Sequence, residues 1–368
     1  TGIQSTLIGA FAGDALTTGQ YNVAIGTYAL TAEDTGGRAT AIGFGTLANQ
    51  NYAGNSYNVA VGFESGNDIT TGVNNTLIGG LAGCKLIDGI SNVLIGQGAG
   101  DTLTSGSYNI AIGKSALSTE DGHGRNVGIG YEALYYQDAG ADAYNVAIGY
   151  NAGLNVTTGV RNILIGGLAG DALTTGVRNV AIGHGALSTE DSGGYNTAIG
   201  YQALEGLNAG GDAFNVAVGY QAGVAVTTGL YNTLIGSSAG DSLTTGAYNT
   251  AVGYQALSAE DAHGTNTAIG YQSLAQQNAG ADALNTAIGF QAGYSVSTGV
   301  RNALLGGSAG DALTTGSYNV ALGYETLSIG NTTSKNVAIG YRALKDLDDG
   351  GDGYNVAVGF DAGVAVTT

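Results

Sequence analysis

The sequence predicts an all-β protein, a single parallel β-solenoid (β-roll) of 21 coils of 17 or 19 residues with a four-coil super-repeat, and three observations predict it. The motif Asn-x-Ala/Leu-Ile-Gly recurs 21 times between Gly9 and Gly359. Successive motif glycines stand 17 residues apart, apart from five gaps of 19, and the longer gap closes a block of 70 residues. Around each glycine, β-branched and small residues alternate at period two, which is the periodicity of a short strand. One additional 17-residue coil near Gly79 interrupts the block order once, and no linker breaks the pattern, so residues 1–368 read as one continuous array.

Each column of the repeat then receives a role. Asn opens the motif in 19 of 21 coils, with Ser5 and Ala39 as exceptions, and a column of stacked Asn predicts an amide ladder that satisfies turn backbone groups. The residue before the glycine is aliphatic in all 21 coils, and the residue two before that is mostly Val, Ile or Thr, as in Val23, Ile110 and Thr267. Those two positions are expected to be buried, and the residue between them to face outward. That middle column is Ala in 14 coils, Leu in six (Leu7, Leu77, Leu94, Leu164, Leu234 and Leu304) and Gly128 once, an apolar stripe that predicts a lateral partner. In the fourth coil of each block a second short strand is expected, as at Val224-Ala225-Val226, giving coils of two strands and two turns. Helical spacing is absent and 67 glycines oppose helix. Coils stacked at roughly 4.8 Å predict a rod on the order of 100 Å long.

Composition narrows the function. Ten basic against 28 acidic residues give a net charge of −18, which repels phosphate backbones and anionic lipid, so neither nucleic acid nor membrane insertion is expected. No apolar run approaches the ~18 residues of a membrane span. High glycine without proline or a strict triplet period excludes collagen, and 43% hydrophobic residues exclude a disordered tail. The absence of Met implies a removed leader or a longer parent chain. Cys84 is single, so no internal disulfide forms.

The runs Asn22-Val23-Ala24-Ile25-Gly26, Asn179-Val180-Ala181-Ile182-Gly183 and Asn266-Thr267-Ala268-Ile269-Gly270-Tyr271 carry a resemblance. They are similar to the head repeats of trimeric autotransporter adhesins and to repeats of bacterial surface and phage tail-fibre-like proteins. The resemblance implies a left-handed β-roll, trimeric assembly and adhesion at the cell surface or outside the cell; crossover chirality by itself favours a right-handed coil.

Chemistry-bearing side chains fall into columns. Asp14, Asp101, Asp171, Asp241 and Asp311 follow Ala-Gly, the pairs Glu33-Asp34, Glu120-Asp121, Glu190-Asp191 and Glu260-Asp261 occupy another turn, and Asp142, Asp212, Asp282 and Asp352 lie in the 19-residue coils. They read as solvated turn acids, since one column recurs only every ~19 Å and calcium needs six to eight oxygens around one point. His123 and His263 follow Glu-Asp pairs at a spacing that could seed a metal site, but the turns at Asp34 and Asp191 lack His, so these histidines read as incidental. No catalytic, cofactor-binding or metal residues are therefore assigned, and an enzyme is not expected. Twelve coils place Tyr or Phe after the motif glycine, among them Tyr131, Tyr150 and Phe290, either as corner stacks or as a platform for surface glycans. Thr pairs such as Thr157-Thr158 and Thr244-Thr245 occur on only some coils, which makes a lattice-matched ice-binding face the weaker ligand-binding alternative. Thr1-Gly2 matches Thr228-Gly229 in register and Thr368 falls nine residues after Gly359, so either copies stack head to tail or the chain was cut in register from a longer array, and a filament is the expectation. A structural extracellular rod, self-assembling and adhesive, is the expectation; an adhesin head binding glycan or matrix is the alternative.

Overall fold

The structure, a computed structural model, describes residues 4–367 and is a parallel β-solenoid with one three-residue strand before each motif glycine. The chain divides into two compact units, Thr1–His184 and Gly185–Thr368. The first unit holds eleven strands, from Thr6–Ile8 to Val180–Ile182, and the second holds ten, from Thr197–Ile199 to Val356–Val358. Thr1, Gly2 and Thr368, on which the end-to-end register rests, lie outside the described residues.

Within each unit the strands pair in register, each motif on the same motif. Val93, Leu94 and Ile95 face Ile110, Ala111 and Ile112 in the first unit, and Thr250, Ala251 and Val252 face Thr267, Ala268 and Ile269 in the second. The motif glycine makes this register possible. Gly96 has φ +138°, and a Cβ there would lie 2.3 Å from the carbonyl oxygen of Gly113 one coil on. Any side chain at this position would force neighbouring coils apart.

The strand faces are the reverse of the expectation. The middle residues are the ones buried: Ala24, Leu77, Leu94, Leu164, Leu234 and Leu304 have no exposed surface. The flanking Val, Ile and Thr side chains point out, with Ile163 40% and Ile235 38% exposed. Period-two alternation fixes that two faces differ but not which one is inside. Here the interior is a thin slot that accepts a small or a large apolar residue per level, and the bulky β-branched residues pack along the outside.

Five of the six Leu are therefore core residues, Leu7 in the first strand being 42% exposed, and their alternation with Ala follows from volume. Each buried Leu at a strand centre is matched by a glycine in the following turn: a Cβ on Gly100 would stand 3.0 and 3.1 Å from the Leu94 methyls. Where the strand centre is Ala111 or Ala251, the turn carries Leu117 or Leu257, each without exposed surface. These two leucines adopt φ of +53°. A left-handed L-residue costs ~1–2 kcal/mol, while burying a Leu side chain contributes ~1.5–3 kcal/mol, so the strain is tolerated because the slot is filled.

No second strand per coil forms among the described residues. Val224-Ala225-Val226 lies in the turn region, and the pattern that suggested a strand arises because Val226 faces the core. The rest of each coil is a succession of turns with left-handed residues, and no helix occurs among the described residues.

The Asn ladder forms as expected. In the first unit Asn92 Oδ1 accepts from the Asn109 backbone N–H at 2.9 Å, and Asn92 Nδ2 donates to the Gly106 carbonyl at 2.8 Å. The second unit repeats this at Asn232, whose Oδ1 accepts from the Asn249 N–H and whose Nδ2 donates to the Gly246 carbonyl, both at 2.9 Å. A buried amide thus completes two backbone groups that no strand ladder reaches.

Candidate functional site

Two features of the coil carry side chains that could act on something outside the fold: the outward strand face and the turn that holds the acidic pairs.

The outward face consists of the residues flanking each strand centre, β-branched or aliphatic in nearly every coil. Two ladders of exposed rings flank it. The ladder after the motif glycine stacks face to face: Tyr131 on Tyr150 at 5.5 Å, and Tyr254, Tyr271 and Phe290 in series at 5.4 and 5.2 Å. The other ladder is the residue before the motif Asn, a column the sequence reading passed over. It stacks Phe214, Tyr231 and Tyr248 at 5.4 and 5.2 Å, and places Arg38 over Tyr21 and Tyr57, both at 5.5 Å. Arg125 lies in the same way over Tyr108 and Tyr144 at 5.7 and 5.5 Å. Six of the chain's ten basic residues stand in this column, namely Arg38, Arg125, Arg161, Arg178, Arg301 and Lys335. The signal was present in the sequence as Tyr-Asn and Arg-Asn dipeptides at the coil period. Within these stacks the ring faces meet their neighbours' rings or guanidinium groups and present their edges outward.

The acids do not read as simple solvated turns. Glu33, Glu120, Glu190 and Glu260 have no exposed surface, while Asp121, Asp191 and Asp261 beside three of them are exposed. Position in the coil explains this, because the Glu occupies the slot that Leu103, Leu173 or Leu243 fills in the preceding coil type. Burial pushes the Glu120 and Glu260 carboxyls up to about 7 and raises that of Glu190 as well. The half-buried carboxyls of Asp171, Asp241 and Asp311 are likewise raised by loss of solvent. The neutral form is favoured wherever a carboxylate leaves water without an opposite charge.

The four Glu turns fall into two kinds. In the turns without His, both carboxylate oxygens are satisfied. Glu33 accepts from the Gly36 N–H at 2.7 Å, from Gln50 Nε2 at 3.1 Å and from the Tyr52 N–H at 3.3 Å. Glu190 accepts from the Gly193 N–H at 2.7 Å and the Ala209 N–H at 3.2 Å. In the turns with His, Glu120 and Glu260 accept only from the backbone N–H of His123 and His263, at 3.1 and 3.2 Å. Their Oε2 atoms, and the Nδ1 atoms of both histidines, are buried without hydrogen-bond partners. Nδ1 stands 3.6 Å from Oε1 in the first turn and 3.7 Å in the second.

The remaining candidates have structural roles. The first hydroxyl of the Thr pairs donates to the next coil's backbone, Thr157 to the Thr174 carbonyl at 3.2 Å and Thr244 to the Asp261 carbonyl at 2.7 Å. Cys84 is half-buried, and its thiol donates to the Asp101 carbonyl at 3.4 Å. An open depression of about 340 Å³ near Thr18, Tyr21, Arg38 and Asn55 in the first unit is lined by no carboxylate or imidazole. No known family model matches the chain, and no curated protein matches it.

Proposed function

We propose that this protein is a structural, non-catalytic solenoid that associates with copies of itself through its outward strand face, outside the cell or at its surface. The observation that carries the reading is the inverted strand: the face turned to solvent bears an unbroken Ile, Val or Leu column beside a column mostly of Val, Ile and Thr, rather than alanine. Strands ~4.8 Å apart and ~7 Å wide give each unit on the order of 300 Å² of such surface before the flanking rings are added. That already reaches the largest apolar patch usual on a monomer, ~300–600 Å². Lateral association is the physical remedy, and the resemblance to trimeric autotransporter head repeats supports a homo-oligomer of that kind. The shared strand motif supports the head-to-tail component, because an open coil edge offers the backbone groups that the next coil's strand would pair.

The second reading is an adhesin head that binds glycan or matrix, for which the exposed ring ladders speak. Sugar recognition by stacking needs a free ring face, whereas rings packed at 5.2–5.5 Å on one another have theirs covered. Self-association is therefore preferred. The test is sedimentation velocity and electron microscopy of the full chain across a dilution series. Lateral oligomers or unbranched fibres are expected, and Ile163→Lys with Ile235→Lys should disperse the lateral contacts while leaving circular dichroism unchanged. A monomer at every concentration would remove the proposal.

A further inference from the structure

The His-bearing turns differ from their sister turns in one respect that packing does not explain. Where the sister turns carry glycine, a Cβ on Gly193 would fall 2.6 Å from the Glu190 carboxylate, and one on Gly36 would fall 2.5 Å from Glu33. The Glu carboxylate there lies against the bare turn and fills its hydrogen bonds. With His in that place, the turn leaves a fully buried carboxylate oxygen and an imidazole nitrogen unpaired in the same pocket, twice, once in each unit. A buried anionic oxygen without a partner is costly, and a buried polar pair is retained only when something completes it.

We propose that these two turns bind a borderline divalent transition cation of the zinc class, through Glu120 and His123 in the first unit and Glu260 and His263 in the second. Asp121 and Asp138 extend the first donor set and Asp261 the second, and the donor atoms of each set lie within 4.8 Å of one another. The Nδ1···Oε1 gaps of 3.6 and 3.7 Å are too long for a hydrogen bond. They match two ligands sharing an ion, since donors ~2.1 Å from a tetrahedral zinc stand ~3.4 Å apart. Imidazole with two or three carboxylates suits zinc and its neighbours, whereas calcium requires six to eight oxygens, more than these turns gather. Asp138 comes from the coil that follows, so an ion in the first site would staple adjacent coils together. The second unit has Asn278 at the equivalent place, and its site is the weaker of the two.

The experiment is calorimetric titration of the EDTA-stripped full chain with zinc chloride, alongside the visible spectrum of the cobalt-loaded chain. Two ions per chain are expected, the first bound more tightly, with the absorption bands of a tetrahedral nitrogen–oxygen site. His123→Gly and His263→Gly convert each turn to the sister sequence already present at Gly36 and Gly193, so the fold is preserved. Each variant should lose one ion, and the double variant both. Asp138→Asn should bring the first site's affinity to that of the second. Fewer than one ion per chain, or zinc binding unchanged in the double variant, would overturn the proposal and leave these turns as polar pockets bridged by water.

Discussion

Removing one rung of the amide ladder tests the central account of what holds the coils together. Asn92 is fully buried, and its side chain completes two backbone groups: the Asn109 N–H at 2.9 Å and the Gly106 carbonyl at 2.8 Å. Asn92→Ala leaves both in a dry interior. An orphaned buried donor or acceptor costs ~1–3 kcal/mol, so the substitution should cost ~2–6 kcal/mol. The chain contains its own comparison. Asn126 Oδ1 accepts from the Asn145 N–H at 3.1 Å, but Asn126 Nδ2 has no partner. Asn126→Ala therefore orphans one backbone group and should cost ~1–3 kcal/mol, about half as much. The natural exception Ala39 sits in this same coil type, the type in which the amide donor is least used. Urea denaturation at low concentration in EDTA, read as the shift of midpoint at constant slope, measures both. Exposed Tyr108→Ala serves as the reference. Equal losses for Asn92→Ala and Asn126→Ala, or a loss at Asn92 no larger than at Tyr108, would refute the ladder argument.

Other outcomes follow from the inverted strand and the buried acids. Leu94→Ala should cost ~2.7–5 kcal/mol by opening a cavity, whereas Ile95→Thr on the outer face should cost under ~1 kcal/mol in the monomer, since most of its burial must come from a partner; comparable losses would restore the opposite facing. Gly96→Ala should split the stack locally, seen as amide exchange accelerated in the coils of Gly96 and Gly113, and normal protection there would contradict the close approach. The carboxyls of Glu190, Asp171, Asp241 and Asp311 are raised in the fold by burial, so between the ordinary carboxylate range and their raised values the folded state holds more protons than the unfolded one. Stability then falls as pH rises through that window. Calorimetry should give a higher melting temperature at pH 5 than at pH 7.5, and Glu190→Gln should flatten the slope; a melting temperature that climbs over this interval would contradict the assignment.

Much of the fold was legible because the repeat encodes it redundantly. Twenty-one glycines at fixed spacing leave no other way to place the chain, and the Asn column announced its own ladder. The face was not legible from period two, since parity is blind to inside and outside. It becomes legible when two columns are read together: Leu at a strand centre always accompanies Gly six residues on, as at Leu94 and Gly100, and Leu six residues on always accompanies Ala or Gly at the centre, as at Ala111 and Leu117, so the two positions are never both Leu in one coil. Only side chains competing for the same volume vary in that way. The pattern at Val224–Val226 misleads for the same reason, since a single buried Val226 in a turn imitates one end of a strand alternation. The burial of Glu33, Glu120, Glu190 and Glu260 could have been inferred by noticing that Glu stands in the column where other coil types carry Leu, Val or Gln.

That column bears on why the block has four coils rather than one. A solenoid of identical apolar coils would stack in any register, each shifted by a whole coil, because every neighbour is equivalent. A buried carboxylate removes the degeneracy. Glu33 is satisfied only if the following coil supplies Gln50 and the Tyr52 amide, and Glu190 only if it supplies the Ala209 amide. A slip by one coil would take those partners away and leave the buried acid uncompensated. The acid thus sacrifices some stability for register, as a buried polar residue does in a coiled coil. Where His replaces the turn glycine that register device is left incomplete, which is the structural reason to look for a cation there and not at the sister turns.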